Sequence, residues 1–220
     1  MTALRFRAIV FDLDGTLADT APDIAAALNH ALAQVGRQIL TLDAVRSMVG
    51  HGGKVLVQRG LAATGGADEL TLATAYAAMI AYYETHVCDH SLPYPGVVAA
   101  LDALREQGLA LAVCTNKPEH LARGVIERLG WDERFAAIVG GDTLAATKPD
   151  PAMLHLAVAQ AGGGPAAMVG DSIIDVQTAR AAGLPCVAVS FGYADRPADR
   201  LGADAVIDSF DDLLPALARL

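Results

Sequence analysis

Cysteine is scarce in this sequence, and the cysteines present are not spaced like a disulfide framework or a metal site. Only Cys88, Cys114 and Cys186 occur in 220 residues. They are odd in number, far apart and without a Cys-x-x-Cys or Cys/His pairing, which excludes the common zinc spacings and small disulfide-linked scaffolds. We therefore expect three small buried hydrophobic side chains in a reducing, cytoplasmic compartment.

Positive charge is also in short supply. The chain carries 16 Lys and Arg against 25 Asp and Glu, a formal net charge of −9 at pH 7. Since no cluster of basic residues offsets this excess, nucleic acid is a poor candidate for a partner. An anionic substrate would have to be held by local positive charge or by a metal ion.

Long apolar runs are missing as well. No stretch approaches the ~18 apolar residues that a membrane-spanning helix needs. The first residues turn into a charged motif too early for the apolar region of a signal peptide. Because 53% of the residues are hydrophobic and 19% charged, the chain can bury a full core. These features predict a cytoplasmic globular protein without a membrane partner.

The sequence does contain helix and strand patterns that alternate after a purely helical stretch. The apolar run Ala8–Phe11 is suited to a buried strand. Apolar residues at helical spacing then predict four helices up to about residue 87, the first beginning at Pro22 and the second capped by Thr41. The fourth, from Ala67 to His86, is predicted from its apolar residues Leu70, Leu72, Tyr76, Met79, Ile80 and Tyr83. Beyond residue 96 the predicted helices are Val97–Gln107, Glu119–Leu129, Pro151–Ala161, Ile173–Ala182 and a last one from Asp211. The predicted strands there are Leu109–Cys114, Ala137–Val139, Ala167–Val169, Cys186–Ser190 and Ala205–Ile207.

Such alternation is typical of a parallel sheet covered by helices on both faces. The predicted fold class is α/β, a Rossmann-like parallel sheet with an inserted four-helix cap domain. We predict an α/β core domain from residues 1–17 and 92–220, and a helical cap domain from residues 18–91.

Two acids, Asp12 and Asp14, directly follow the first predicted strand. In open α/β sheets, ligands bind at the carboxyl ends of the strands. Two carboxylates this close repel each other unless a cation or a shared proton neutralises them, and a hard metal ion such as Mg²⁺ would do so. An ordinary Asp-x-Asp-Gly surface turn is the alternative, but the buried character of the strand argues against it.

Two later strand ends carry groups that suit phosphate. Thr115 and Asn116 offer a hydroxyl, an amide and backbone N–H donors, although a capping turn would look the same. Lys148 stands in a turn that Pro149 and Pro151 make rigid. Its ammonium group there would hold a carboxylate and a phosphoryl group together, whereas most lysines are simply solvated.

A further strand end supplies two more acids. Asp171 follows the strand Ala167–Val169 and Gly170, and Asp175 lies one helical turn further on. Asp171 as a helix cap is the alternative interpretation. All these groups follow strands of one predicted parallel sheet, so its topology brings them to one edge.

Taken together, these residues resemble the four motifs of the haloacid dehalogenase superfamily, in the family's order. The motifs are Asp12-Leu13-Asp14-Gly15-Thr16-Leu17-Ala18-Asp19-Thr20, Thr115-Asn116-Lys117, Lys148-Pro149 and Gly170-Asp171-Ser172-Ile173-Ile174-Asp175. The resemblance covers essentially the whole chain, including the cap after the first motif. Within the superfamily the chain is most similar to the phosphoglycolate phosphatases, on residues 115–118, 49–53 and 202–214.

The resemblance implies phosphomonoester hydrolysis that depends on Mg²⁺. It makes Asp12 the nucleophile, which becomes a transient aspartyl phosphate, and Asp14 the general acid and base. It also implies that the carboxylates of Asp12 and Asp171 and the backbone carbonyl of Asp14 bind the metal ion.

The same resemblance assigns the phosphoryl group to Thr115, the Asn116 backbone and Lys148. Asp175 is expected to orient Lys148 or a metal-bound water. In the cap, we expect His51 and Lys54 to contact a small substrate carboxylate, but they would equally fit a loop residue and the solvated start of a helix.

Phosphoglycolate is the substrate that the resemblance favours, so the predicted partner is a small phosphorylated metabolite bound by a monomer or homodimer. A sugar phosphomutase, an inorganic pyrophosphatase and a broad small-metabolite phosphatase stay open. Dehalogenases and phosphonate hydrolases of the same superfamily lack an acid at the position of Asp14, so its presence here favours phosphate-ester hydrolysis over their reactions. A non-catalytic phosphate- or partner-binding relative is the alternative from another class, and the complete motif set argues against it.

Overall fold

The computed structural model describes residues 4–194 and 196–220. Its strands are β1 (Ala8–Phe11), β2 (Ala18–Asp19), β3 (Leu92–Pro93), β4 (Ala110–Cys114), β5 (Ala137–Val139), β6 (Ala166–Gly170), β7 (Cys186–Val189) and β8 (Ala205–Ile207). Its helices are α1 (Ala21–Gln34), α2 (Leu42–Arg46), α3 (Gly53–Ala63), α4 (Glu69–Thr85), α5 (Val97–Glu106), α6 (Glu119–Arg128), α7 (Ala152–Gln160), α8 (Ile173–Ala181) and α9 (Leu213–Leu217). The predicted fold class is confirmed.

Six strands form one parallel sheet in the order β5-β4-β1-β6-β7-β8. The first strand lies in the middle, where Phe11 is paired with Val113 of β4 and with Val169 of β6. Because these three strands end at the same level, the residues that follow them meet at one edge of the sheet.

The sheet is buried on both faces. Ile9 and Phe11 belong to a core with α5, α6 and α9, whereas Val10 packs on the other side with α7 and α8. Helices on both faces explain why the strands are near-continuous apolar runs. Cys114 and Cys186 are free, buried members of this core, whereas Cys88 is free but only partly buried, so the expectation of three buried cysteines is wrong for Cys88.

The cap is built from α1–α4, which follow one another between β2 and β3. Thr41 caps α2 as predicted, since its hydroxyl accepts a hydrogen bond from the backbone N–H of Ala44. Leu70 was expected on the buried face of α4, but it is 76% exposed. The buried face is set by Ala75, Met79 and Tyr83, and Leu70 lies about 140° away from Ala75 around the helix.

Two short strands connect the cap to the core, and the sequence pattern did not indicate them. Residues of β2 and β3 pair in antiparallel register, Ala18 with Pro93 and Asp19 with Leu92. The predicted domain boundary at residues 18 and 91 falls beside this pair and stays a prediction. Among the described residues, no helix is both long and apolar enough to cross a membrane.

Candidate active site

Asp12 and Asp14 lie in the turn that follows β1. The backbone N–H of Asp12 donates to the carbonyl of Val169 at 2.9 Å, which continues the parallel ladder and directs the chain to the sheet edge. The turn then depends on Gly15, which has a φ of 82°. A Cβ atom there would lie 2.5 Å from Oδ2 of Asp171, so only glycine allows this close approach.

Lys148 joins two acids at the same edge. Its Nζ lies 3.0 Å from Oδ1 of Asp12 and 2.7 Å from Oδ1 of Asp175. Burial acts to lower the pKa of Lys148, but the carboxylates of Asp12 and Asp175 raise it by more. The ammonium group is therefore held charged although it is only 4% exposed.

Asp175 is fixed by its position in the first turn of α8. Its Oδ2 accepts hydrogen bonds from the backbone N–H and the hydroxyl of Ser172, which form a capping box with it. Its Oδ1 accepts from Lys148. Both carboxylate oxygens are thus engaged, one of them with Lys148; that Asp175 orients Lys148 towards a substrate stays a prediction.

Thr115 and Asn116 follow β4 and are nearly buried. The side chain of Asn116 ties three segments together, because it accepts from the backbone N–H of Lys148 and donates to the carbonyls of Lys148 and Gly50. The hydroxyl of Thr115 accepts from the backbone N–H of Lys117. The sequence did not predict that the Asn116 side chain would join the core to the cap; its backbone role towards phosphate stays a prediction.

The acids at this edge form a group that suits a divalent cation. Asp12, Asp171 and Asp175 each offer a carboxylate oxygen within 4.8 Å of the others. Burial raises the pKa of Asp12 to about 6, and Lys148 opposes this while Asp175 and Asp14 add to it. Burial, followed by repulsion from Asp175 and Asp12, also raises the pKa of Asp171.

One oxygen in this group lacks a hydrogen-bond donor. Oδ1 of Asp12 is buried and has no hydrogen-bond partner among the described residues, although Lys148 lies close enough for an ion pair. Both oxygens of Asp175 accept from Lys148 and Ser172, and those of Asp171 accept from the Thr16 hydroxyl and the Tyr193 backbone N–H. Oδ1 of Asp12 is thus the carboxylate oxygen of this group that a hard cation would satisfy. The residues present therefore fit Mg²⁺.

Asp14 contacts a different lysine, which the sequence analysis left without a role. Its Oδ1 accepts a hydrogen bond from the hydroxyl of Thr20 at 2.6 Å and from Nζ of Lys117 at 2.7 Å. Nζ of Lys117 also donates to the hydroxyl of Tyr83, in cap helix α4, at 2.7 Å. Burial acts to lower the pKa of Lys117, but Asp14 and Tyr83 raise it by more.

Tyr193, which follows β7, is a second residue that the sequence analysis missed. Its backbone N–H donates to Oδ2 of Asp171 at 2.6 Å. Its hydroxyl donates to Oδ1 of Asp19 at 2.6 Å and accepts from the backbone N–H of Ala21 at 2.9 Å. Asp19 in turn pairs with Arg46 of the cap. Tyr193 therefore connects the acid group to the segment that leads into the cap.

A cleft between the cap and the sheet edge is lined by four of the nine predicted site residues, Asp12, Asp14, Thr115 and Asn116, whereas Lys148, Asp171 and Asp175 lie outside its lining. Its lining residues are Asp12, Asp14, Ile24, Val49, Gly50, Gly52, Gly53, Leu56, Met79, Ile80, Tyr83, Thr115, Asn116, Lys117, Pro118 and Leu121. His51 and Lys54 are exposed and lie outside this lining, although their neighbours Gly50, Gly52 and Gly53 belong to it. Their contact with substrate stays a prediction.

The sequence of this chain resembles those of known hydrolases. The family model described as haloacid dehalogenase-like hydrolase matches residues 9–189. The phosphoglycolate phosphatase of Caulobacter vibrioides is 45% identical over 215 residues, which cover 96% of this chain and 91% of that protein. The phosphoglycolate phosphatase of Agrobacterium fabrum is 44% identical over 211 residues, which cover 94% of this chain and 91% of that protein.

Solved structures agree in fold. A predicted phosphoglycolate phosphatase from Haemophilus somnus superposes with a TM-score of 0.90 at 33% identity, covering 96% of this chain and 97% of that one. A mutant of CbbY from Rhodobacter sphaeroides in complex with xylulose-(1,5)bisphosphate has a TM-score of 0.82 at 27% identity, covering 96% of this chain and 99% of that one.

Proposed function

The chain belongs to the haloacid dehalogenase-like hydrolase family and is a phosphatase, and we propose that it hydrolyses phosphoglycolate to glycolate and phosphate. The observation that carries the proposal is that Asp12, Asp14, Thr115 and Asn116 line one cleft. Phosphoglycolate as substrate is supported by the phosphoglycolate phosphatases that are 44–45% identical over most of the chain.

In the proposed mechanism Asp12 attacks phosphorus. A bond forms between a carboxylate oxygen of Asp12 and phosphorus, the ester bond breaks, and the leaving oxygen takes a proton from Asp14. Water then attacks the aspartyl phosphate and gives its proton to Asp14, which restores both acids and releases phosphate. Covalent catalysis of this kind divides one difficult displacement into two easier ones.

The phosphoryl group carries negative charge that the site must balance. Lys148 lies 3.0 Å from Oδ1 of Asp12, so its ammonium group stands beside the carboxylate group proposed to attack. The hydroxyl of Thr115 and the backbone N–H of Asn116 are the further donors that we assign to the phosphoryl oxygens. Fixed donors in a site shielded from water stabilise such charge without reorganising.

Asp12, Asp171 and the backbone carbonyl of Asp14 would hold a Mg²⁺ ion. When bound, the ion supplies positive charge that reduces the repulsion between the acids and the substrate phosphate. Asp175 keeps the role of orienting Lys148, because its oxygens already accept hydrogen bonds from Lys148 and Ser172.

A sugar phosphate is the second candidate substrate, favoured by the CbbY mutant structure that contains xylulose-(1,5)bisphosphate. The cleft argues for a smaller molecule. Its wall includes the apolar side chains of Ile24, Leu56, Met79 and Leu121, which would leave the hydroxyl groups of a sugar without partners.

Phosphate release from a panel of phosphoglycolate, β-glucose 1-phosphate, pyrophosphate and a nucleotide tests the proposal. We expect phosphoglycolate to be preferred by tenfold or more in kcat/KM, and turnover to need Mg²⁺. Asp12→Asn, which removes the nucleophile, should abolish turnover and leave the thermal unfolding curve cooperative. A preference for another panel member would overturn the substrate, and undiminished activity of Asp12→Asn would overturn the mechanism.

A further inference from the structure

Lysine is rare in this chain, and two of its lysines are buried at the active site. The sequence contains only Lys54, Lys117 and Lys148. Lys148 contacts Asp12 and is 4% exposed, whereas Lys117 contacts Asp14 and is 6% exposed. An ammonium group is costly to bury unless it is paired, and the proposed mechanism uses only Lys148.

The protein uses only part of the hydrogen-bonding capacity of Lys117. Its Nζ donates to Oδ1 of Asp14 and to the hydroxyl of Tyr83, both at 2.7 Å. An ammonium group has three N–H donors, and no third acceptor is found among residues 4–194 and 196–220. One donor is therefore left for a ligand.

That ligand has access to Lys117 from the cleft. Lys117 belongs to the cleft lining together with Asp14 and with the apolar side chains of Ile24 and Leu56. Charges attract each other more strongly in such weakly polarisable surroundings than in water. An anionic group entering the cleft would thus meet a fixed cation with a spare donor.

The position of Lys117 beside Asp14 indicates which part of a substrate it meets. In the proposed function Asp14 contacts the leaving oxygen, so Lys117 stands next to the carbon that bears this oxygen. In a 2-phosphooxy acid the carboxylate carbon is two bonds from the leaving oxygen, about 2.5 Å away. We propose that Lys117 binds the substrate's carboxylate and so selects phosphate esters that carry a carboxylate next to the ester carbon; this inference rests on the proposed function.

Tyr83 makes this recognition depend on the cap. It belongs to α4, its hydroxyl fixes the Lys117 ammonium group, and its ring centre lies 4.7 Å from Nζ. The cap therefore completes the carboxylate subsite when it covers the cleft. Lys54 is exposed and outside the cleft lining, so it is less well placed to reach the buried end of a two-carbon acid.

The test compares phosphoglycolate with ethyl phosphate, in which a methyl group replaces the carboxylate. We expect the wild-type protein to prefer phosphoglycolate by tenfold or more in kcat/KM, and Lys117→Gln to reduce that preference to about twofold or less. Arg105→Gln, which removes an exposed cation on α5, should keep the preference. If Lys117→Gln lowers both activities by the same factor, Lys117 acts only through Asp14 and the inference is overturned.

A measurement on the wild-type protein does not depend on how the variant folds. With lysine labelled by ¹⁵N at Nζ, the three lysines give a simple spectrum, and Lys117→Arg identifies the signal of Lys117. Glycolate should shift that signal, whereas ethanol should not. No shift at saturating glycolate would contradict carboxylate binding.

A third ester separates this inference from the proposed function. Suppose that the wild-type protein prefers 2-phospholactate to phosphoglycolate and prefers both acids to ethyl phosphate. If Lys117→Gln then loses the preference for the acids over ethyl phosphate, the proposed substrate is wrong and the inference stands. If the preference for phosphoglycolate persists in Lys117→Gln, only the inference is overturned. If the wild-type protein hydrolyses ethyl phosphate with the same kcat/KM as the two acids, both the proposed substrate and the inference are overturned.

Discussion

At the scale of single residues, Asp175 shows how one buried carboxylate serves two elements. It caps α8 through Ser172 and pairs with Lys148. Asp175→Asn leaves the Lys148 ammonium group paired with Asp12 alone, and we expect the free energy of unfolding to fall by about 3 kcal/mol, because breaking a buried ion pair is strongly destabilising. Urea denaturation measures this loss.

The matched control is Asp132→Asn, which changes an exposed acid in the same chemical way. Its effect should stay within about 0.5 kcal/mol, as for most surface substitutions. Equal effects of the two substitutions would mean that the pair with Lys148 does not stabilise the fold.

Tyr193 supports the acid group without belonging to it. Its hydroxyl is held by Asp19 and Ala21, which fixes the backbone N–H that donates to Asp171. Tyr193→Phe releases this anchor, and we expect about tenfold more Mg²⁺ to be needed for half-maximal activity, since partners of metal ligands commonly change affinity by that order.

A Mg²⁺ titration of activity and of thermal stability measures this change. Tyr82→Phe is the control, because Tyr82 stacks on His30 and His86 in the cap. An unchanged Mg²⁺ requirement in Tyr193→Phe would show that the loop is held by other contacts.

Sequence reasoning found the strand-end acids and Lys148 because strand topology alone decides which edge they share. It missed Lys117 because a turn such as Thr-Asn-Lys-Pro does not indicate which of its side chains faces inward. Tyr83 was assigned only to an apolar helix face, and the burial of its ring agrees. Its hydrogen bond to Lys117 depends on how the cap packs on the core, which no local pattern specifies.

At the scale of elements, one buried acid fixes the segment that leads from the cap back to the core. Asp23, in the first turn of α1, accepts hydrogen bonds from the backbone N–H groups of His90 and Ser91 and from the hydroxyl of Ser91. Asp23→Ala removes these acceptors, and buried N–H groups without partners are unfavourable. We expect the free energy of unfolding to fall by about 3 kcal/mol.

Hydrogen exchange should show this loss locally, as faster exchange at the amides of His90 and Ser91. The control is Asp89→Ala, which removes an exposed acid in the same segment. It should leave the free energy of unfolding and the exchange rates at His90 and Ser91 nearly unchanged. Unchanged exchange at Ser91 in Asp23→Ala would contradict the role given to Asp23.

The sheet strands were predicted to within a residue or two because each is a buried apolar run. Leu109–Cys114 was predicted where β4 is Ala110–Cys114, and Cys186–Ser190 where β7 is Cys186–Val189. The pair β2 and β3 was not predicted, since two-residue strands are too short to show a period. Their pairing is decided by where the cap leaves and rejoins the sheet.

At the scale of the whole molecule, the acidic balance makes a bound cation a stabilising element. The chain has a formal net charge of −9, and three buried acids each place a carboxylate oxygen within 4.8 Å of the other two. We expect Mg²⁺ at about 100 times its dissociation constant to add about 2.7 kcal/mol to the free energy of unfolding. Thermal unfolding with and without a chelator measures the effect.

Asp171→Asn should abolish this stabilisation, and KCl at equal ionic strength should not reproduce it. A stabilisation by KCl as large as that by MgCl₂ would indicate screening of the net charge, and would contradict a specific site.

The burial of Lys117 and Lys148 has a practical consequence for labelling the cap at one position. Of the three lysines only Lys54 is exposed, and it stands at the start of α3 beside the cleft. An amine-reactive dye applied to the native protein would therefore attach to this one side chain, apart from the chain's terminal amine. A change in its fluorescence during turnover would report a movement of the cap, without an engineered cysteine.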